Sequence, residues 1–158
     1  IVASPSVAPT IRDSLSASLT PELGSQGLFY EKIVPGRGTG LISNRTFTKG
    51  DLILTSTPLF MIQERAIRDM SKADRLLLQK LSISALPTKS RGLFCSLAAH
   101  FGGDTIEDVL LTNGFSATFS ESREGFGIVV PEAARLNHDC RPNVSIRGLL
   151  ISFKGNFV

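Results

Sequence analysis

Apolar, aromatic and β-branched residues crowd together first at "LFYEKIV", residues 28–34, and such a run predicts a β-strand. "PGRGTG", 35–40, breaks it with three glycines and predicts a turn, "LISNRTF", 41–47, a second strand, and "TKGD", 48–51, a second turn. The apolar run "LILTSTPLFMI", 52–62, comes next, so the pattern from 28 to 62 predicts an antiparallel meander of three strands. The period then changes. Ser71 with Asp74 three residues on resembles a capping signal. "DRLLLQKLSIS" places Leu77, Leu78, Leu81 and Leu86 near helical spacing, and Pro87 stops the helix. "RGLFCSLAAHF", 91–101, predicts a second helix ended by Gly102-Gly103. Asp104 and Glu107 cap a third, "TIEDVLL", ended by Asn113-Gly114. Strands return with "FSATF", 115–119, "FGIVV", 126–130, and "VSIRGLLISF", 144–153. Strands, helical middle, strands: the order predicts an α+β fold rather than alternating βαβ units.

Before Leu28 the pattern is weak. Residues 1–26 carry six serines and three prolines, which predicts a loosely ordered arm, and no internal repeat stands out. At 158 residues, with 42% hydrophobic and 20% charged, the chain has the make-up of one globular domain with a real core. No apolar run approaches the ~18 residues of a membrane span. A formal charge of +3, from 17 basic and 14 acidic residues, is too mild to argue for nucleic acid, and no basic stripe is interleaved with aromatics.

The chemistry is concentrated in "RLNHDCRPNVS", 135–145, which places His138 and Cys140 two apart and fixes the backbone with Pro142. A zinc site built from the chain's two cysteines and two histidines, Cys95, His100, His138 and Cys140, is disfavoured. On the predicted helix Cys95 and His100 lie ~140° apart around the axis, on different faces. A cysteine–histidine nucleophile pair is disfavoured too, because Cys140 and His138 are too close in sequence to face each other without a sharp bend, and Cys95 on an apolar helix face predicts an inert core thiol. Two cysteines in no CxxC pair fit a reduced nuclear or cytoplasmic setting.

"LNHDCRPN" resembles the N-H-x-C-x-P-N signature of SET-domain protein-lysine methyltransferases. Two more pieces stand in the family's order. "GRGTGLISNRTFTKGDLILTSTPLF" resembles its opening strand pair, a Gly-rich turn followed by G-L-x-(A/S)-x-R-x-x-x-K-G-(E/D)-x-I. "TNGFSATF", 112–119, resembles the N-x-F strand of the MYND-associated and fungal relatives. The resemblance covers about residues 28–147. It implies a SET-type β-fold of several short antiparallel sheets with a helical insert. In that division 27–64 are the N-terminal strands, 65–112 the insert, and 113–158 an incomplete C-terminal segment.

The resemblance also implies a cofactor, S-adenosylmethionine, and a partner, a protein substrate with a target lysine such as a histone. By resemblance Arg37, Gly38 and Thr39 line the methionine end of the cofactor, Asn137 and His138 contact it, and Phe115 walls the lysine channel. Glycines permit positive φ and close approach of backbone to a ligand, although a plain β-turn uses them equally. The His138 ring is expected to be a buried, hydrogen-bonded structural group rather than a proton-transfer base, and Phe115 is as readily plain core. Cys140 matches a zinc ligand that many relatives complete with a downstream C-x-C-x(n)-C segment. None is present, so Cys140 is an orphan ligand or a buried thiol. The family's catalytic tyrosine element has no counterpart either: the one tyrosine, Tyr30, lies upstream of the Gly-rich turn. No catalytic residue is therefore assigned. The chain is expected to be a fragment or a truncated form with little or no methyltransferase activity, or, alternatively, a non-catalytic SET-derived interaction module.

Overall fold

In the computed structural model, which describes residues 2, 3, 27–51, 53, 54, 56–118, 124–137 and 144, the expected meander is divided between two sheets. β1 (Phe29–Val34) and β2 (Gly38–Ser43) form an antiparallel hairpin, in register from Phe29↔Ser43 to Val34↔Gly38. The turn is shorter than the sequence predicts. Only Pro35–Arg37 lie outside the strands, and the Arg37 N–H donates to the Val34 carbonyl at 2.9 Å. Gly36 and Gly38 hold φ of +73° and +69°, a region costly for any residue with a Cβ, and those two positions let a three-residue loop close. Gly38, Thr39 and Gly40 therefore belong to a strand.

β3 is Phe60–Gln63, not 52–62, and it leaves the hairpin altogether. It pairs antiparallel with β5 (Gly125–Val129), from Phe60↔Val129 to Gln63↔Phe126, and β4 (Gly114–Thr118) pairs with the other edge of β5. The order is β3-β5-β4. The reason is burial. All four residues of β3 are buried, and Phe126, Ile128 and Val129 offer buried apolar partners, whereas β2, the neighbour a meander would supply, buries only Gly40. Two residues of the segment read as a loose arm also dock here, one of them on this sheet. Val2 runs parallel to β3, its N–H donating to Met61 O and its carbonyl accepting from Gln63 N, both at 2.8 Å, and Ala3 packs on the core.

The helical middle lies between β3 and β4 as α1 (Glu64–Ile67), α2 (Lys72–Ser84), α3 (Thr88–Cys95) and α4 (Thr105–Asn113), and α5 (Pro131–Ala134) follows β5. The two cap signals act as predicted: Asp74 N–H donates to Ser71 Oγ at 3.1 Å, and Ile106 and Glu107 N–H donate to Asp104 Oδ1. The leucine stripe does so only in part. Leu86 packs on the core, but Leu77 and Leu81 are 57% and 58% exposed, while Gln79 and Ile83 are buried. Three consecutive leucines, 76–78, point all around a helix, so the run itself cannot choose the inner face.

α3 begins earlier and ends earlier than expected, at Cys95 rather than Phe101. The backbone of residues 98–102 is held by α4 instead. The buried Asp108 carboxylate of that helix accepts N–H bonds from His100 (2.8 Å), Phe101 (2.9 Å) and Gly102 (2.6 Å), plus the Thr112 hydroxyl (3.0 Å). Asn113 Nδ2 donates to Ala98 O (2.7 Å) and Val109 O (2.8 Å). The three-stranded sheet is covered on both faces. Phe60, Ile62 and Val129 meet Ile83, Phe94, Leu97 and Val109 of the helical middle; Met61, Phe126 and Ile128 meet Leu54, Val130 and Ala133. The architecture is α+β, with two small antiparallel sheets and five helices among the described residues.

The Asp108 clamp gives a pH prediction. The backbone N–H of Phe101, followed by those of His100 and Gly102 and the Thr112 hydroxyl, hold its carboxyl down at about 2 against the opposing effect of desolvation. A carboxylate in the unfolded chain titrates near ~3.9. The clamp therefore contributes fully above pH ~4, and its contribution is lost as pH falls toward 2. Urea unfolding at several pH values is expected to show this loss, and Asp108→Asn to flatten that part of the profile. An unchanged profile in the variant contradicts the clamp.

Candidate functional site

The segment after β5 turns back onto the hairpin. Pro131 opens α5, where its missing N–H costs nothing and its fixed φ suits the first helical position. The helix stops within one turn, with Ala134, Arg135 and Leu136 N–H donating to Val130, Glu132 and Ala133 carbonyls. The chain then runs along the outer edge of β2, where Leu41 N–H donates to Arg135 O at 2.9 Å. Glu31 faces Leu41 across the hairpin, and its Oε1 lies 3.5 Å from Arg135 Nε. Two residues on, the Asn137 amide lies over Gly40. A Cβ at position 40 would stand 2.6 Å from Asn137 Nδ2 and 3.1 Å from Val34 Cγ2. Only glycine at position 40 lets the amide come this close.

Arg37, Gly38, Thr39 and Asn137, the described members of the cofactor set, thus gather on one hairpin and the segment beside it. Arg37 is exposed at the turn, and a Cβ at Gly36 or Gly38 would meet nothing within 4 Å, so this backbone is open to a ligand. His138 and Cys140 lie outside the described residues. Phe115 is half-buried on β4, opposite Ile128, and packs on the cluster of Leu54, Met61, Phe126 and Ile128. Its connection to Asn137 is through α5, whose Ala133 belongs to the same cluster.

Two features of the cysteine and histidine reading change. Cys95 is exposed at the end of α3, so it is not a core thiol. His100 is exposed in the loop after it, its ring edge-on to Phe101 at 5.6 Å, so it shares no helix with Cys95. Among the described residues no group of three or more His, Cys, Asp or Glu could hold a metal ion. Among them, too, no helix is long and apolar enough to cross a membrane.

Sequence reasoning overlooked Arg135 and Glu31 as a pair, because nothing local links a strand carboxylate to an arginine beyond a distant helix. Gly40 was one of three equivalent glycines until Asn137 singled it out. A second polar cluster sits at the opposite end of β5, where the buried Gln63 donates to Glu124 at 2.5 Å and Arg65 pairs with Glu124 at 3.3 Å. The Gln63 bond and then Arg65 hold the Glu124 carboxyl below its usual range against the opposing effect of desolvation. No family model, no curated protein and no solved structure matches this chain.

Proposed function

We propose that this chain carries a SET-type protein-lysine N-methyltransferase fold and binds S-adenosylmethionine between the β1–β2 hairpin and the Arg135–Asn137 segment. One observation supports the reading: the amide of Asn137, the first residue of the N-H-x-C motif, rests on Gly40 of the Gly-rich motif, 97 residues earlier in the chain. Two small antiparallel sheets and a helical insert between β3 and β4 agree with the SET arrangement at the level of architecture.

The residues present fit a zwitterionic nucleoside cofactor. The open backbone at Gly36–Gly38 and the Thr39 strand position would accept its amino-acid end, Arg37 would meet its carboxylate, and the Asn137 amide would bond its polar edge, with His138 beside it in sequence. When bound, the cofactor supplies an electrophilic methyl group on a sulfonium. Phe115 would line the approach of a substrate lysine. An apolar wall there lowers the amine pKa from its reference value of ~10.4 and so favours the neutral, nucleophilic form. The chain's one tyrosine, Tyr30, is 50% exposed on β1, remote in register from the turn. Binding with little transfer is therefore the expected behaviour, and this same position of Tyr30 favours the second reading, a non-catalytic interaction module. The partner in the first reading is a protein presenting a lysine, such as a histone, in the nucleus or cytoplasm; in the second it is a protein bound by the helical middle or the N-terminal arm.

Titration calorimetry with S-adenosylhomocysteine, the demethylated product of the cofactor, tests the cleft. The folded chain is expected to bind it, and Asn137→Ala to weaken binding about tenfold, as loss of one well-made hydrogen bond does. A folded chain that binds nothing, or an Asn137→Ala variant that binds as tightly, overturns the proposal.

A further inference from the structure

We infer that Arg135 is a positioning residue for the proposed cofactor cleft, holding Asn137 on Gly40 by tying the hairpin, α3 and the segment after β5 together. The inference rests on the cofactor reading above. Its main-chain carbonyl takes the Leu41 N–H. Its guanidinium reaches in two other directions: Nε to Glu31 Oε1 on β1 at 3.5 Å, and Nη2 to the Ser96 carbonyl (3.4 Å) and Oγ (3.5 Å) just beyond α3. The side chain is 14% exposed, so the charge is shielded from bulk water, and the planar fork can serve both directions at once.

The geometry explains why such a tie is needed. The hairpin forms a sheet of its own, and neither core cluster draws a residue from β1 or β2. Among the described residues the orientation of the hairpin is set by edge contacts rather than by a shared core. The Leu41–Arg135 backbone bond alone is a hinge: the hairpin can pivot about it. The Glu31–Arg135–Ser96 link supplies further fixed points and removes the pivot. Asn137 lies two residues beyond that hinge, so a pivot there moves its amide across Gly40. Arg135 touches no ligand in this scheme and acts through Asn137.

A positioning role and a bulk structural role differ in what they move. Neither Arg135 nor Glu31 contributes to the core clusters, so their loss is expected to shift the melting temperature by no more than about 4 °C. Affinity for S-adenosylhomocysteine should respond far more. Arg135→Gln, which loses every side-chain contact of the tie, is expected to weaken it about tenfold, and Glu31→Gln, which loses one half-exposed ion pair, about threefold. The double variant should be no weaker than Arg135→Gln alone, because that substitution already removes the contact to Glu31. Arg135→Lys keeps the charge but loses the fork, and should fall between. Single variants that bind like the wild type, or losses that add in the double variant, overturn the role of Arg135. If Arg135→Gln does not fold, Glu31→Gln decides alone. A wild-type chain that binds no cofactor overturns both readings, whereas a binding wild type with unaffected variants sinks only this one.

Discussion

Replacing Gly40 with alanine is expected to leave the fold standing and to disable the cleft. The new Cβ would stand 2.6 Å from Asn137 Nδ2, inside any allowed contact. That nitrogen is the free end of a side chain, so the amide can swing aside at small cost. Val34 Cγ2, at 3.1 Å, must give by a few tenths of an ångström. The melting temperature should therefore move little, while affinity for S-adenosylhomocysteine falls by at least about tenfold as the amide loses its position. Valine at 40 adds two more carbons to the same gap and should also destabilise the chain by about 1–3 kcal/mol through overpacking. The combined Gly40→Ala, Asn137→Ala variant separates the mechanisms. Its affinity should match that of Asn137→Ala alone, because the clash and the truncation remove one and the same contact. Wild-type affinity in Gly40→Ala, or additive losses, would show that the amide does not work through position 40.

Phe126→Ala is expected to give the largest loss of stability. Phe126 is wholly buried on the central strand β5, between Gln63 of β3 and Ala117 of β4, and it anchors the cluster that reaches Ala133. Truncating a buried phenylalanine costs about 3–5 kcal/mol, a large share of the ~5–15 kcal/mol that holds such a domain together. The melting temperature should drop on the order of 10 °C. Leu77→Ala is the informative control. Leu77 belongs to the most conspicuous leucine run in the chain, yet it is 57% exposed. Its loss should stay within about 0.5 kcal/mol. Comparable losses at Leu77 and Phe126, read by chemical denaturation, would mean that the leucine stripe faces inward after all.

The contrast between those two residues shows what the amino-acid pattern conveys. Signals carried by three or four neighbouring residues are legible: the strand at 28–34, the strands around "FSATF" and "FGIVV", and the caps at Ser71 and Asp104. Partners distant in sequence are not. The run at 52–62 reads as the third strand of a meander, and only residues 126–129, beyond the whole helical middle, draw Phe60–Gln63 into another sheet. Asp108 and Asn113 look like surface positions of a helix. They are buried because the backbone at 98–102 needs partners that no regular ladder supplies. At the candidate site, the glycine turn and Asn137 are visible as motifs, but Gly40 stands out from Gly36 and Gly38 only once the amide is seen against it. Arg135 and Glu31 become a pair only through the docking of the hairpin.

A titration of the isotope-labelled chain with S-adenosylhomocysteine, followed by amide NMR, addresses the cleft itself. The two Asn137 side-chain N–H signals and the backbone amides of Gly38, Thr39 and Gly40 are expected to shift together, along one saturation curve, while those of Gln63 and Gly125 at the far end of β5 stay in place. Shifts confined to residues away from the hairpin, or no shift at saturating ligand, would contradict a methyl-donor site at this junction.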